Sequence, residues 1–225
     1  MYIIGDVIDR GPDSISILKD IMARPNVEMF LGNHELMMLD YFARTGSRPE
    51  RWMLESNGGI VTFESLKNLK RKELAEIKRY FKNAWIQKYV EVGGVKYALH
   101  HSYWLEDYAG KDVRYSDLRR VQYQSVFKAV WYSPYRAFEY VPAEIYDDEY
   151  IHIIGHVPVQ FVYGMEMLDP ENAERDLKPP YIDADGRLYD IDGGCAMISR
   201  GRSGGLYCMS LETDPDGKRA EYWIE

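Results

Sequence analysis

The chain has 225 residues, enough for one large domain, and 46% of them are hydrophobic, so a full core can form and disorder is not expected. Its formal net charge of -8 argues against a nucleic-acid scaffold, which would present a basic face. No apolar run approaches the roughly 20 residues that cross a membrane, and no basic leader precedes Met1–Ile4, so a cytoplasmic location is expected. The two cysteines, Cys195 and Cys208, are too few for a disulfide framework and are expected to be reduced thiols.

In chain order, Met1 to Ile4 reads as a strand that runs into Gly5-Asp6. Arg10-Gly11-Pro12-Asp13-Ser14 supplies a turn and an N-cap, and Ile15, Leu18, Ile21 and Met22 recur at helical spacing. Val27 to Leu31 is a second strand, followed by Gly32-Asn33 and a second helix through Leu36, Met37, Leu39 and Phe42. Two strands joined through a helix imply a parallel pair with a right-handed crossover, whose ligand groups collect at the carboxyl ends. Asp6 and Asn33 both follow such ends.

Residues 64–84 read as a Lys- and Glu-rich surface helix. Residues 86–92 and 95–99 form a hairpin around Gly93-Gly94. Residues 103–148 read as helix plus loops. Strands are expected again at 150–154, 188–191, 195–199, 205–211 and 221–224, with a loop at 169–187. Without an internal repeat or a low-complexity linker, one α/β domain over 1–225 fits best: two mixed β-sheets packed as a sandwich and flanked by helices.

Of the five histidines, His34, His100, His101 and His156 lie just after apolar strands, whereas His152 falls inside one and reads as core. Imidazoles gathered at strand ends with Asp6 and Asn33 form a ligand set suited to Mn, Fe or Zn. His101 lies next to His100 and so points to the opposite side, which reads as a structural or solvent-facing position. Trp131 and Tyr189 read as packing residues.

The series Gly5-Asp6-Val7-Ile8-Asp9-Arg10-Gly11, Gly32-Asn33-His34-Glu35, Leu99-His100 and Gly155-His156 resembles the signature of the phosphoprotein phosphatase family of calcineurin-like metallophosphoesterases. The stretch through Leu36-Met37-Met38-Leu39-Asp40, Trp52 with Asn57-Gly58-Gly59 and Thr62, and Tyr189-Asp190-Ile191-Asp192-Gly193-Gly194 are similar to the small bacterial and phage lambda type of serine/threonine phosphatase. The resemblance implies a metal set of Asp6, Asn33, His100 and His156. It implies His34 as general acid, Asp9 or Glu35 as the carboxylate that orients it, and Arg10 with Asn33 on the substrate phosphate. The hydrolysis it implies uses a metal-activated hydroxide on a phosphoprotein or small phosphoester.

Two departures stand out. The family opens with a Gly-Asp-x-His-Gly motif upstream of the second one, and none occurs here. The first strand and one metal's remaining ligands are therefore expected to be missing. The expectation is one divalent ion where the family holds two, unless His101 or Asp192 compensates, in a chain cut short at its N-terminus. The second phosphate arginine of a Trp-x-Arg motif is replaced by Trp131-Tyr132-Ser133, leaving Arg136 as its candidate. Rival readings are a diadenosine tetraphosphate or nucleotide phosphohydrolase, which Glu35 and Asp9 disfavour, and a non-catalytic binding module.

Overall fold

A computed structural model describes residues 1–118, 122–135, 149–165, 177–198, 201, 203–213 and 219–224. The first parallel pair forms as its pattern predicts. Strand β1 (Tyr2–Ile3) pairs in parallel with β2 (Glu28–Met29) across helix α1 (Ser14–Ala23), whose Ile15, Leu18 and Ile21 are buried. Phe30, one residue past β2, bridges in parallel to Trp85 and joins this pair to the start of β3 (Trp85–Val92). Helix α2 (Asn33–Ala43) begins at once after β2, with Gly32 as its N-cap.

The Lys- and Glu-rich stretch divides into α3 (Gly59–Leu66) and α4 (Arg71–Lys82). In α4 only Ile77 and Phe81 are buried, the single apolar stripe its composition allows. β3 and β4 (Val95–His100) form the hairpin expected at Gly93-Gly94, both of which take positive φ. Residues 103–131 contain a short strand that periodicity does not reveal, β5 (Val113–Arg114), before helix α5 (Tyr123–Trp131). β6 (Ile151–Ile154), helix α6 (Val159–Met165), β7 (Tyr181–Ile182) and β8 (Leu188–Asp190) follow. Residues 195–198 form helix α7 (Cys195–Ile198) where a strand was expected. The positive-φ Gly194 turns the chain, and Met197 donates its amide to the Gly194 carbonyl, closing a helical turn. β9 (Leu206–Thr213) and β10 (Arg219–Ile224) close as an antiparallel pair.

The main sheet is mixed, in the order β5-β3-β4-β6-β8-β7, with β4, β6 and β8 parallel to one another. One core cluster joins this sheet to β1, β2 and β9 through Phe30, Trp85, Tyr97, Leu99 and Ile153, with Ile4, Met209 and Leu211 packed against them. A second, larger cluster lies under the helices and contains Leu18, Leu36, Met38, Trp52, Phe81 and Val126. This is an α/β fold with a mixed multi-strand sheet flanked by helices, as the sequence implies. Its consequence for the site is directional. β1, β2, β4, β6 and β8 deliver the chain to one edge, so their carboxyl ends become neighbours. Both cysteines are exposed free thiols.

Candidate metal centre

Asp6 follows β1, Asn33 opens α2, His101 follows β4 and His156 follows β6, and these four side chains converge. The inward end of the Asn33 carboxamide lies 3.0 Å from His156 Nδ1 and 3.2 Å from His101 Nε2. The same position is 3.1 and 3.2 Å from the two carboxylate oxygens of Asp6. His101 Nε2 is 3.6 Å from Asp6 Oδ1. Asp6, His101 and His156 thus offer ligand atoms all within 4.8 Å of one another. Turned inward, the carboxamide oxygen meets only lone pairs; turned outward, its NH2 group has more acceptors around it than protons to give. A divalent cation resolves that conflict, because every one of these groups can be a ligand, so the residues fit a metal centre.

Electrostatics agree. Burial would raise the carboxyl of Asp6, but the charges of His101 and His34 and the His34 amide outweigh it and hold it at about 2. His156 is pushed down to about 3, first by burial and then by His101, so its imidazole is neutral and free to coordinate. Backbone geometry carries the cost. Among the described residues the non-glycine positions with φ in the left-handed region are Asp6, Asp9, Arg10, Arg44 and His156. Four of them belong to this site, where such strain is typically stored. Close approach also explains two glycines. A Cβ on Gly5 would lie 2.6 Å from His101 Nδ1, and one on Gly32 would lie 2.2 Å from Asp6 Oδ1.

The expected position of His100 in this set is corrected. His100 is the last residue of β4 and pairs with Gln87 of β3; its Nε2 lies 3.0 Å from His152 Nδ1, in a core that includes Trp104. Burial, and then His152, push its pKa well below the usual range. The side chain one residue on falls on the other face of the chain, and there His101 is anchored by Nδ1 to the Ile4 carbonyl at 2.6 Å. Adjacent histidines carry no sequence signal of which one faces the site; the register of β4 against its neighbours decides it.

Around the cluster, Asp9 and Glu35 have separate tasks. Asp9 accepts from His34 Nδ1 at 2.6 Å and from Trp52 Nε1 at 2.9 and 3.0 Å, and its own amide donates to Thr62 Oγ1. Glu35 does not touch the His34 ring. Its buried carboxylate accepts the amides of Asp6, Val7, Ile8 and Gly32 at 2.8–3.3 Å, clamping the loop after β1 onto the start of α2. His34 is buried beside them, and its amide donates to Asp6 Oδ1 at 3.1 Å. Burial acts to lower its pKa, yet the charge of Asp6 and the charge and hydrogen bond of Asp9 outweigh it and raise it.

Arg10 sits against the turn before α3, donating its amide to the Gly58 carbonyl at 3.3 Å, and its Nε is buried with no hydrogen-bond partner among the described residues. An unspent guanidinium beside a cation site is what binding of a tetrahedral anion requires. Asp192, two residues past β8, stands close enough for its charge to act with those of Asp6, His101 and Arg10, while its Oδ1 accepts the Gly194 amide at 2.8 Å. Arg136 lies outside the described residues.

An α/β sheet whose strand ends gather a carboxylate, a carboxamide and two imidazoles, with a free arginine and an oriented histidine alongside, defines a class: metal-dependent hydrolases. Residues 1–184 match the family model for calcineurin-like phosphoesterase, so the chain belongs to that family and its chemistry is metal-dependent hydrolysis of phosphoesters. No curated protein matches the chain in a sequence search. Among the described residues no helix is long and apolar enough to cross a membrane.

Proposed function

We propose that the chain is a phosphomonoesterase acting on phosphoserine or phosphothreonine in proteins. The observation that carries this reading is the Trp52–Asp9–His34 relay, with its 2.6 Å contact from carboxylate to ring, next to the unspent Arg10. Asp9 binds His34 Nδ1, which leaves Nε2 as the ring's proton-carrying atom toward a leaving oxygen. Arg10 grips non-bridging phosphate oxygens with its fork, and Asn33 contributes to the same anion pocket. Asp6, Asn33, His101 and His156 would hold a divalent cation, which when bound would supply Lewis acidity toward water and the phosphate. Mn, Fe and Zn all suit these ligands.

The test is a substrate panel with added Mn: para-nitrophenyl phosphate, a phosphoserine peptide and diadenosine tetraphosphate. Turnover of the peptide, and its loss by 100-fold or more in His34→Ala with Mn affinity retained, is the expected result. Turnover confined to the dinucleotide overturns the substrate class. Absence of all turnover favours a binding module.

A further inference from the structure

A cation whose hydrogen-bonding capacity is unspent lies on the rim of the centre, on a segment that the relay already holds. Arg51 belongs to the 3-10 turn Pro49–Met53, directly before Trp52. Its carbonyl is fixed by Asn57 Nδ2 at 2.8 Å. Its guanidinium carbon stands 5.0 Å from the centroid of Trp131 and 5.7 Å from that of Phe127, and these two rings stack on each other at 5.8 Å and 23°. Trp131 in turn touches the metal centre. Its ring meets that of His156 edge-on at 6.2 Å.

Among the described residues the Arg51 side chain makes no hydrogen bond and no ion pair. Asp40, the carboxylate that feels its charge, already accepts from Thr45 Oγ1 and Tyr123 Oη. Arg51, Phe127 and Trp131 are all half-buried, so the rim is open to a ligand. Stacking fixes the plane of a guanidinium while leaving its edge donors free, and those donors match a planar carboxylate in a two-point fork.

We propose that Arg51, seated on Trp131 and Phe127, is a specificity-determining residue that binds an acidic side chain close in sequence to the phosphorylated residue of the substrate. This rests on the phosphoprotein phosphatase reading and deepens it. The reach is right. Arg51 is one ring away from His156, and an extended peptide advances roughly 3.3–3.6 Å per residue, so a Glu one to three positions from the phosphoresidue spans the interval.

The experiment uses two phosphoserine peptides that differ only in Glu against Gln two positions from the phosphoserine. Their kcat/KM values with added Mn are compared in the wild-type chain, Arg51→Gln and Arg51→Lys. Their equilibrium affinities are compared by calorimetry in His34→Ala with and without Arg51→Gln. The wild type is expected to prefer the Glu peptide by about tenfold, the size of one charge-assisted hydrogen-bonded contact, with the preference abolished in Arg51→Gln and partly kept in Arg51→Lys. Equal losses for both peptides would mean that Arg51 serves only as packing, and that outcome overturns the proposal, as does the absence of any Glu preference in the wild type. If no phosphoester is turned over, the phosphatase reading fails by itself, and the calorimetric preference still decides the role of Arg51.

Discussion

At the scale of single residues the site depends on which atoms of otherwise similar side chains face inward. His101→Ala removes a ligand atom and is expected to weaken Mn binding by more than about 100-fold, beyond the 10–100-fold typical of losing a group that only orients a ligand. His100→Ala, one residue away, acts on the buried contact with His152 instead: it is expected to lower stability by about 1–3 kcal/mol and to change Mn affinity only a few-fold. Titration of both variants with Mn, alongside thermal unfolding, separates the two. Asp9→Asn bears on the proton that His34 carries. The raised pKa of His34 means that its charged form persists to higher pH than in the unfolded chain. The stabilisation that accompanies this charge is complete below the unfolded pKa and is lost as pH rises through the folded one. Removing the Asp9 charge lowers the folded pKa, so the alkaline limb of a kcat against pH profile should move to lower pH.

At the scale of elements, the turn between residues 49 and 59 is what ties the helical layer to the strand ends. It brings Trp52 to Asp9, Gly58 to Arg10 and Arg51 to Trp131. Its tightest contact is at Gly59, the first residue of α3, where a Cβ would lie 2.2 Å from the Trp52 carbonyl and 2.6 Å from its ring. Gly59→Ala therefore has to displace Trp52 and is expected to cost about 1–3 kcal/mol in denaturant unfolding, with turnover reduced through the displaced Asp9. Turnover unchanged at equal stability would contradict the relay. Much at this scale is readable in the chain. The 3.6-residue spacing of Ile15, Leu18 and Ile21 gives α1, and Gly93-Gly94 gives the β3–β4 hairpin. β5 and β7 are two residues each, too short to show a period, and exist because neighbouring strands offer them an edge. At 195–198 the apolar run Cys195-Ala196-Met197-Ile198 reads equally well as strand or helix; the Gly194 turn settles it as helix.

For the whole molecule, an ion held at the candidate metal centre would cross-link segments far apart in the chain: the loops after β1, β4 and β6 and the start of α2. An ion that binds only the folded state stabilises it by mass action, about 2.7 kcal/mol at 100 times its dissociation constant. Mn should therefore raise the unfolding temperature of the wild type, chelation should reverse the rise, and His101→Ala should respond little to either, as followed by calorimetry. A wild-type unfolding temperature indifferent to Mn would contradict the assigned ligand set.

The sequence by itself pointed to the family, because the motifs that resemble its signature are short and contiguous. Gly5-Asp6 through Arg10-Gly11 and Gly32 through Glu35 carry their candidate ligands, glycines and arginine at fixed local spacing, and strand-to-loop geometry brings them to strand ends. Three assignments were left to the tertiary structure. It set His101, and not His100, beside Asp6, because the facing of a side chain at a strand end depends on register with partner strands. It gave Asp9 to His34 and Glu35 to the loop amides, because both carboxylates are near in sequence and only packing against Trp52 and α2 distinguishes them. It also put Arg51 on Trp131 next to His156, a meeting of residues 80 and 25 positions apart in the chain that no local pattern encodes.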